Sequence, residues 1–484
     1  MAAHAPAVRR EAWVGLDVVA RRVAFAALLV ALPFLPHLTS DGFEYPTVSN
    51  FWSCVPFCAL LALATVDTRA WRRIAHLDLL VLLSFVVALG CLRPWRLWPA
   101  LLIYPPLAYL ALRMIAIARR RDGEAAATTA GWRSPLSRAW LVAGIVMLMA
   151  VHVSWALQGT AVTDVDQGGV EGALNIANGR ALYGAPMGQA ATDPHTDTYG
   201  PVNYEAYLPF ALLAGAHTAA RLSTLFFGLL TAFLLFVLGR RARGPDVGVL
   251  LAFCWLAYPL TLYEDALGFN DSLVAAALVG TLLVAGSPAK RGAMAALACW
   301  TKFVPLALAP VLLSQRSSMP RSARRATLEL VSAFALVSAL VFIPALTHSS
   351  LATFVSRTFG FQAGRVPSGS MWEVLQAGYG ASLPWLSTAA RLLHGLLVAF
   401  TGAFALALLR MPRRQDIVGL AAASAAVLIA VEACLNYYSF SYLLWFVPLV
   451  LIALLLDGPV SRGAGGRPGP FDEVSTEARM SQFS

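Results

Sequence analysis

The stretch Ala219-Ala220-Arg221-Leu222-Ser223-Thr224-Leu225-Phe226-Phe227-Gly228-Leu229-Leu230-Thr231-Ala232-Phe233-Leu234-Leu235-Phe236-Val237-Leu238-Gly239 carries a single charge and is followed at once by Arg240-Arg241. A helix rises about 1.5 Å per residue, so roughly 20 apolar residues match the ~30 Å hydrocarbon core of a bilayer. An apolar run of this length ending in a basic pair reads as a membrane span with its C-terminal end in the cytoplasm.

Outward from this run the pattern repeats. Further spans are expected near 22–38, 51–67, 77–92, 98–117, 139–157, 247–263, 270–286, 326–346, 386–409, 416–434 and 438–456. The composition agrees: 58% of the 484 residues are hydrophobic and 13% charged, with a mean hydropathy of +0.66. A typical globular chain is about 25% charged. A soluble protein this apolar could not cover its own surface, which excludes a soluble enzyme, a nucleic-acid binder, a secreted disulfide scaffold and a disordered regulator. The net charge of +10 is scattered between apolar runs rather than gathered on one face, as basic cytoplasmic loops require. Six cysteines (Cys54, Cys58, Cys91, Cys254, Cys299, Cys434) lie in or beside apolar stretches without zinc spacing and read as small buried hydrophobes. The basic start and Val23–Pro36 read as an uncleaved first span rather than a signal peptide.

Charge fixes the expected topology. The links Asp67–Arg73, Arg113–Arg138, Arg240–Arg243, Lys290-Arg291, Gln315–Arg325 and Arg410–Arg414 are basic and assigned to the cytoplasm, as are both termini; the connections 38–50 and 158–203 are net acidic and assigned outside. For Arg138 and Arg240 to share a side, only one span follows the long loop, so 204–216 lies in the interface or re-enters. The same parity makes 292–313 a pair of half-helices hinged near Lys302. The expected fold is an all-α polytopic membrane protein with about 13–14 transmembrane helices counting these two, and juxtamembrane helices in the first large external loop. No internal repeat of the transporter kind is apparent.

The polar residues concentrate in the external connections. Thr163-Asp164-Val165-Asp166 opens an amphipathic stretch that stops at Gly179. Either these acids are solvated and Asp166 caps a helix, or one is a fixed carboxylate at the membrane surface, suited to act as a general base. Asp197-Thr198-Tyr199-Gly200-Pro201-Val202-Asn203-Tyr204 places tyrosines at headgroup level. Glu264-Asp265…Asn270-Asp271 joins two spans, as a hydrated turn or as a polar cavity wall. Lys302 is the hardest to explain structurally: a buried ammonium costs about 2.5–3.5 kcal/mol on insertion scales, so a cavity with an anionic partner is expected. Arg357, Gln362 and Arg365 lie in a second external loop, 347–385, and suit a phosphate at headgroup level or anionic lipid. His152 and His394 fall on apolar runs and read as satisfied core histidines. There is no HExxH, P-loop or GxSxG motif.

Together these pieces resemble the glycosyltransferase-C superfamily of polytopic sugar transferases. Gly268-Phe269-Asn270-Asp271, the Trp300-Thr301-Lys302-Phe303-Val304-Pro305 break and Gln362…Arg365…Pro367-Ser368…Ser370…Trp372 look most like family 87. The resemblance covers about 139–456. It implies a GT-C-like catalytic core there; outside it, the four spans within 1–138 read as an N-terminal addition, and the Gly/Pro/Arg-rich polar stretch 457–484 as a disordered cytoplasmic tail. The resemblance also implies sugar transfer, with mannose the expected sugar, from a polyprenyl-phosphate donor to an envelope glycolipid or glycan on the outer face of the plasma membrane. The carboxylate base would be Asp166 or Asp164. Arg365, Arg357, Lys302 and Gln362 would hold the donor phosphate, and Tyr199, Asn203, Asp265, Asn270 and Asp271 would line the substrate pocket. No metal site or cofactor is implied, although paired carboxylates leave room for a divalent ion, and no nucleic acid is expected. Independently, the chain has no cytoplasmic domain of the size a nucleotide-sugar donor normally requires, and its long loops face outward. The competing class is a transporter or flippase of lipid-linked sugar, which would place its charges near the midplane and show repeat symmetry.

Overall fold

The structure is a computed structural model and describes residues 5–35, 48–67, 74–91, 98–120, 134–158, 163–184, 187, 196–317, 320, 322–411 and 413–457. The expected tail over 457–484 therefore lies outside the described residues apart from Asp457. The described chain is helical, with one isolated β-bridge between Ser368 and Tyr437.

Among the described residues five α-helices precede the long loop: α1 (Ala5–Ala31), α2 (Val48–Thr65), α3 (Ile74–Cys91), α4 (Tyr104–Arg119) and α5 (Arg138–Gln158). The loop itself folds into α6 (Asp164–Ala177) and two short helices, α7 (Pro201–Glu205) and α8 (Leu208–Leu213). Then follow α9 (Ala216–Arg243), α10 (Pro245–Leu256), α11 (Pro259–Leu267), α12 (Asp271–Leu283), α13 (Pro288–Thr301), α14 (Ala323–Leu346), α15 (Pro384–Ala407), α16 (Ile417–Cys434) and α17 (Val447–Leu455). Among the described residues six helices are long and apolar enough to cross a membrane, or seven if α10 and α11, bent by 52°, form one span. Most of the other expected spans are present as shorter apolar helices. The bend has a local cause: Pro259 opens α11 and cannot continue the α10 hydrogen-bond ladder.

Both irregular segments take the form that charge parity demands. Residues 201–213 make two helices far too short to cross, and α9, at 28 residues, is long enough to span alone. The 292–313 run breaks at Lys302, whose backbone is extended (φ −136°, ψ 148°), and returns through Val304–Leu308 and Ala309–Leu313. That it returns is shown by its two feet: Arg291 Nη2 donates to the Gln315 carbonyl at 3.0 Å.

The basic links gather at one end of the bundle. Arg243 Nη2 donates to the Leu456 carbonyl at 2.7 Å, Arg414 Nη1 meets Asp457 at 2.8 Å, Arg120 also pairs with Asp457, and Arg413 Nη1 donates to Gln315 Oε1 at 2.9 Å. The residues of the long loop and of 347–385 lie at the other end. One cluster of buried apolar side chains runs from Phe25 through Leu110, Leu251 and Val427 to Leu456, so the first spans share a core with the rest. α16 sits centrally, 72% buried over its apolar window, whereas α14 and α15 are 11% and 17% buried and present their apolar faces outward, to lipid.

Candidate functional site: a charged pocket at the loop end of the bundle

At the end opposite the basic links lies a pocket walled by six separate chain segments. Asp164 and Val165 come from α6, Thr196, Thr198 and Tyr199 from the strip before α7, Phe269 and Asp271 from the α11–α12 turn, Lys302 from the half-helix break, Phe361 and Arg365 from the second loop, and Tyr437, Ser439, Ser441 and Tyr442 from the strip after α16.

The first turn of α6 is built from its cap. Thr163 Oγ1 accepts from the Asp166 amide and donates to the Gly268 carbonyl, which ties the helix start to the α11–α12 turn. Acids in a first turn also suit the helix dipole. Asp164 faces the pocket. Asp166 does not: it is fully buried, accepting from Tyr207 Oη at 2.6 Å and Thr224 Oγ1 at 3.1 Å. Burial pushes its carboxyl up to about 7, with the two hydroxyl donors and Arg221 pulling the other way. Gly268 is required where Asp166 presses against the turn, because it has φ +77° and an added Cβ would lie 2.6 Å from Asp166 Oδ2.

The strip 196–199 is pinned by tyrosines. Tyr204 Oη donates to the Thr196 carbonyl at 2.8 Å and Tyr183 Oη to the Tyr199 carbonyl at 3.0 Å. Asn270 Nδ2 donates to Asn203 Oδ1 at 2.5 Å, and both side chains are fully buried behind the wall. Asp265 is also behind it, hydrogen-bonded to His152 Nδ1, while His152 Nε2 meets the Leu256 carbonyl at 2.9 Å. His394 meets the Cys434 carbonyl at 2.6 Å and stacks on Trp372 at 4.3 Å. Both histidines are thus partnered, as an apolar setting demands. The cysteines Cys54, Cys254 and Cys299 are buried and unbridged.

Lys302 has the anionic partner its position calls for. Its Nζ hydrogen-bonds Asp271 Oδ1, which also accepts from Trp445 Nε1 at 2.6 Å. The ammonium sits 5.3 Å from the Tyr199 and Tyr442 ring centroids and 5.5 Å from that of Trp445, a cage of aromatic faces. Arg365 is different. Its guanidinium lies 3.5 Å over the Tyr437 ring and 5.4 Å from that of Phe361, and it makes no carboxylate pair among the described residues. Arg357 does not line the pocket; it binds Asp197 at 2.7 Å, and Asp197 in turn accepts from the Gly184 amide. Gln362 is exposed beside the pocket-lining Phe361.

Of the residues picked out in the sequence, Asp164, Tyr199, Asp271, Lys302 and Arg365 converge on the pocket, while Asp166, Asn203, Asp265 and Asn270 form the layer behind it. Tyr437, Ser439, Ser441 and Tyr442 went unnoticed. Their signal is present as a run of hydroxyl groups, Tyr437-Tyr438-Ser439-Phe440-Ser441-Tyr442, at the start of an apolar span. Among the described residues no set of three or more His, Cys, Asp or Glu side chains converges to hold a metal ion.

Fold and pocket define a polytopic helical membrane protein with a carboxylate, a caged ammonium and a guanidinium around one cavity. Residues 198–436 match the family model of glycosyltransferase family 87, in keeping with the resemblance seen in the sequence, and the match supports a membrane glycosyltransferase. No curated protein matches the chain. The matched segment carries Tyr199, Asp271, Lys302 and Arg365; Asp164 precedes it.

Proposed function

We propose that the protein transfers a sugar, mannose in the first instance, from a polyprenyl-phosphate donor to a hydroxyl of an envelope glycolipid or glycan, with inversion, on the extracytoplasmic face of the plasma membrane. The observation that carries this reading is that Asp164 and Arg365 line one pocket, the first a carboxylate and the second a guanidinium with no carboxylate partner among the described residues.

In this reading Arg365 holds the donor phosphate, which a planar fork recognises in bidentate fashion. Asp164 takes the proton of the acceptor hydroxyl as its oxygen bonds to the anomeric carbon. The bond from that carbon to the phosphate oxygen breaks, and its electron pair leaves with the phosphate, where positive charge stabilises it. Advanced separation at the anomeric carbon gives oxocarbenium character, as in other glycosyl transfers. Lys302 contributes a charge already shared with Asp271, so it shapes the field rather than acting as an unpaired anion receptor. Asp166 supports the wall, and Arg357 holds Asp197. The stacked Tyr442 and Trp445 rings, 4.3 Å apart, offer an aromatic surface beside the sugar. The reaction as written needs no cofactor. The placement of the basic links at the far end of the bundle supports an outward-facing pocket.

The test uses purified protein in lipid nanodiscs, a panel of radiolabelled polyprenyl-phosphate sugars and an envelope-lipid extract. Transfer from one donor, abolished in Asp164→Asn while donor binding persists, is the expected result. Movement of lipid-linked sugar across a sealed bilayer with no transfer from any donor would overturn the reading in favour of a flippase.

A further inference from the structure

Arg365 is held in place by an unusual piece of backbone. The chain that follows it, 366–371, lies beside the strip after α16, and the two are laced together: the Ser368 amide donates to the Asn436 carbonyl at 2.9 Å, the Tyr438 amide to the Ser368 carbonyl at 2.9 Å, and Ser370 Oγ to the Asn436 carbonyl at 2.6 Å. Asn436 Nδ2 donates to the carbonyl of Arg365 itself at 3.2 Å. Gly369, at φ +66°, lets the Tyr438 carbonyl come within 2.5 Å of where a Cβ would stand. This clasp sets both the guanidinium and the Tyr437 ring beneath it.

One end of the clasp is tied from outside. The Met371 amide donates to Tyr104 Oη at 3.0 Å, a bond across 267 residues of sequence. Tyr104 is the first residue of α4 and belongs to the spans that precede the family-matched segment. α4 packs along α16, whose end leads into the strip after α16. Below the clasp, Glu432 is fully buried, and among the described residues neither of its carboxylate oxygens nor Tyr438 Oη has a hydrogen-bond partner. Both are electrostatic neighbours of Tyr104. A hydroxyl that accepts from Met371 still has its own proton to give, and Glu432 supplies unfilled acceptors in the same neighbourhood.

We infer that Tyr104 is a positioning residue for the pocket: through the Met371 amide it fixes the clasp that presents Arg365, so the first group of spans completes the site rather than standing apart from it. The functional consequence rests on the phosphate role proposed for Arg365; the structural one does not. One neutral hydrogen bond corresponds to about a two- to tenfold effect on an equilibrium.

The experiment compares wild type, Tyr104→Phe and Tyr109→Phe in nanodiscs. Tyr109, on the same helix, donates to Asp78 at 2.8 Å away from the clasp, so its variant controls for general loosening of α4. Two readouts are taken: hydrogen exchange of peptides covering 365–371, and binding of decaprenyl phosphate. Tyr104→Phe should speed exchange in 365–371 and weaken decaprenyl-phosphate binding about two- to tenfold, with no further loss when combined with Arg365→Gln. Tyr109→Phe should do neither. Unchanged exchange in Tyr104→Phe, or equal acceleration in both variants, overturns the positioning role. Faster exchange confined to Tyr104→Phe, with no decaprenyl-phosphate binding even by wild type, keeps the clasp and overturns the phosphate role of Arg365 instead.

Discussion

Asp164 and Asp166 stand two positions apart in the first turn of α6, about 200° apart around the helix axis, and their surroundings are opposite. Asp164 lines the charged pocket, whereas Asp166 is fully buried behind it under Tyr207 and Thr224. A base must exchange its proton with the reacting hydroxyl, and only the first of these carboxylates lies on the cavity side.

Asp164→Asn is therefore expected to lower sugar transfer by about 10²–10⁴-fold, the usual contribution of a general base, with donor binding retained. Asp166→Asn is expected to keep more activity than Asp164→Asn. Initial rates with a labelled lipid-phosphate sugar decide the matter; a reversed order would move the base to Asp166.

The Asp166 carboxyl also makes stability depend on pH. Its value in the folded protein, about 7, lies above the ordinary 3.8, so the folded state holds the proton more tightly than the unfolded chain. The associated stability is fully present below about pH 4 and is lost as pH rises through 7. Asp166→Asn keeps a neutral acceptor for Tyr207 and removes this slope. The unfolding midpoint of the variant should gain on wild type between pH 5 and 8, and parallel profiles would contradict the buried-acid assignment.

Arg365 and Arg357 should separate cleanly. Arg365→Gln is expected to weaken binding of a polyprenyl phosphate about ten- to a hundredfold, the range for a lost charge-assisted hydrogen bond. Arg357→Gln should weaken binding by no more than about threefold, because its guanidinium is engaged by the buried Asp197 and does not line the pocket. Equal losses in a titration of both variants would show that Arg357 contacts the ligand too.

Removing the charge of Lys302 alone should be worse than removing the pair. Lys302→Met leaves Asp271 buried without its cation, a change that costs about 3–5 kcal/mol in comparable settings. Adding Asp271→Asn should recover part of that loss. Thermal unfolding of the two single variants and the double variant in detergent measures the coupling; additive losses would mean that the pair does not act as a unit.

The all-helical polytopic fold was legible because bilayer thickness acts on local composition: 219–239 announces a span, and it forms one unbroken helix. Charge parity, with the shortness of 204–216 and the Trp300-Thr301-Lys302 interruption, led to the expectation of a break near Lys302 and of a segment at 204–216 that does not form a full span; the structure has the break and two short helices there. The pocket was only partly legible. Lys302 could be singled out because an ammonium in an apolar run requires a partner, but its partner Asp271 lies 31 positions away. The hydroxyl run at 437–442 passed as ordinary interfacial sequence because nothing local says which residues face a cavity.

What the sequence by itself determined is thus the class of fold and a short list of polar residues that a membrane protein does not carry without reason. These follow from transfer free energies, which depend on residue type and run length. Only the tertiary structure decided which members of the list meet. It put Asp164 in the pocket and Asp166 behind it, paired Lys302 and Arg357 with carboxylates while leaving Arg365 without one among the described residues, and brought Tyr104 to Met371. These outcomes depend on how helices distant in sequence pack against one another, because a hydrogen bond or ion pair is set by distances of a few ångströms that no local pattern encodes.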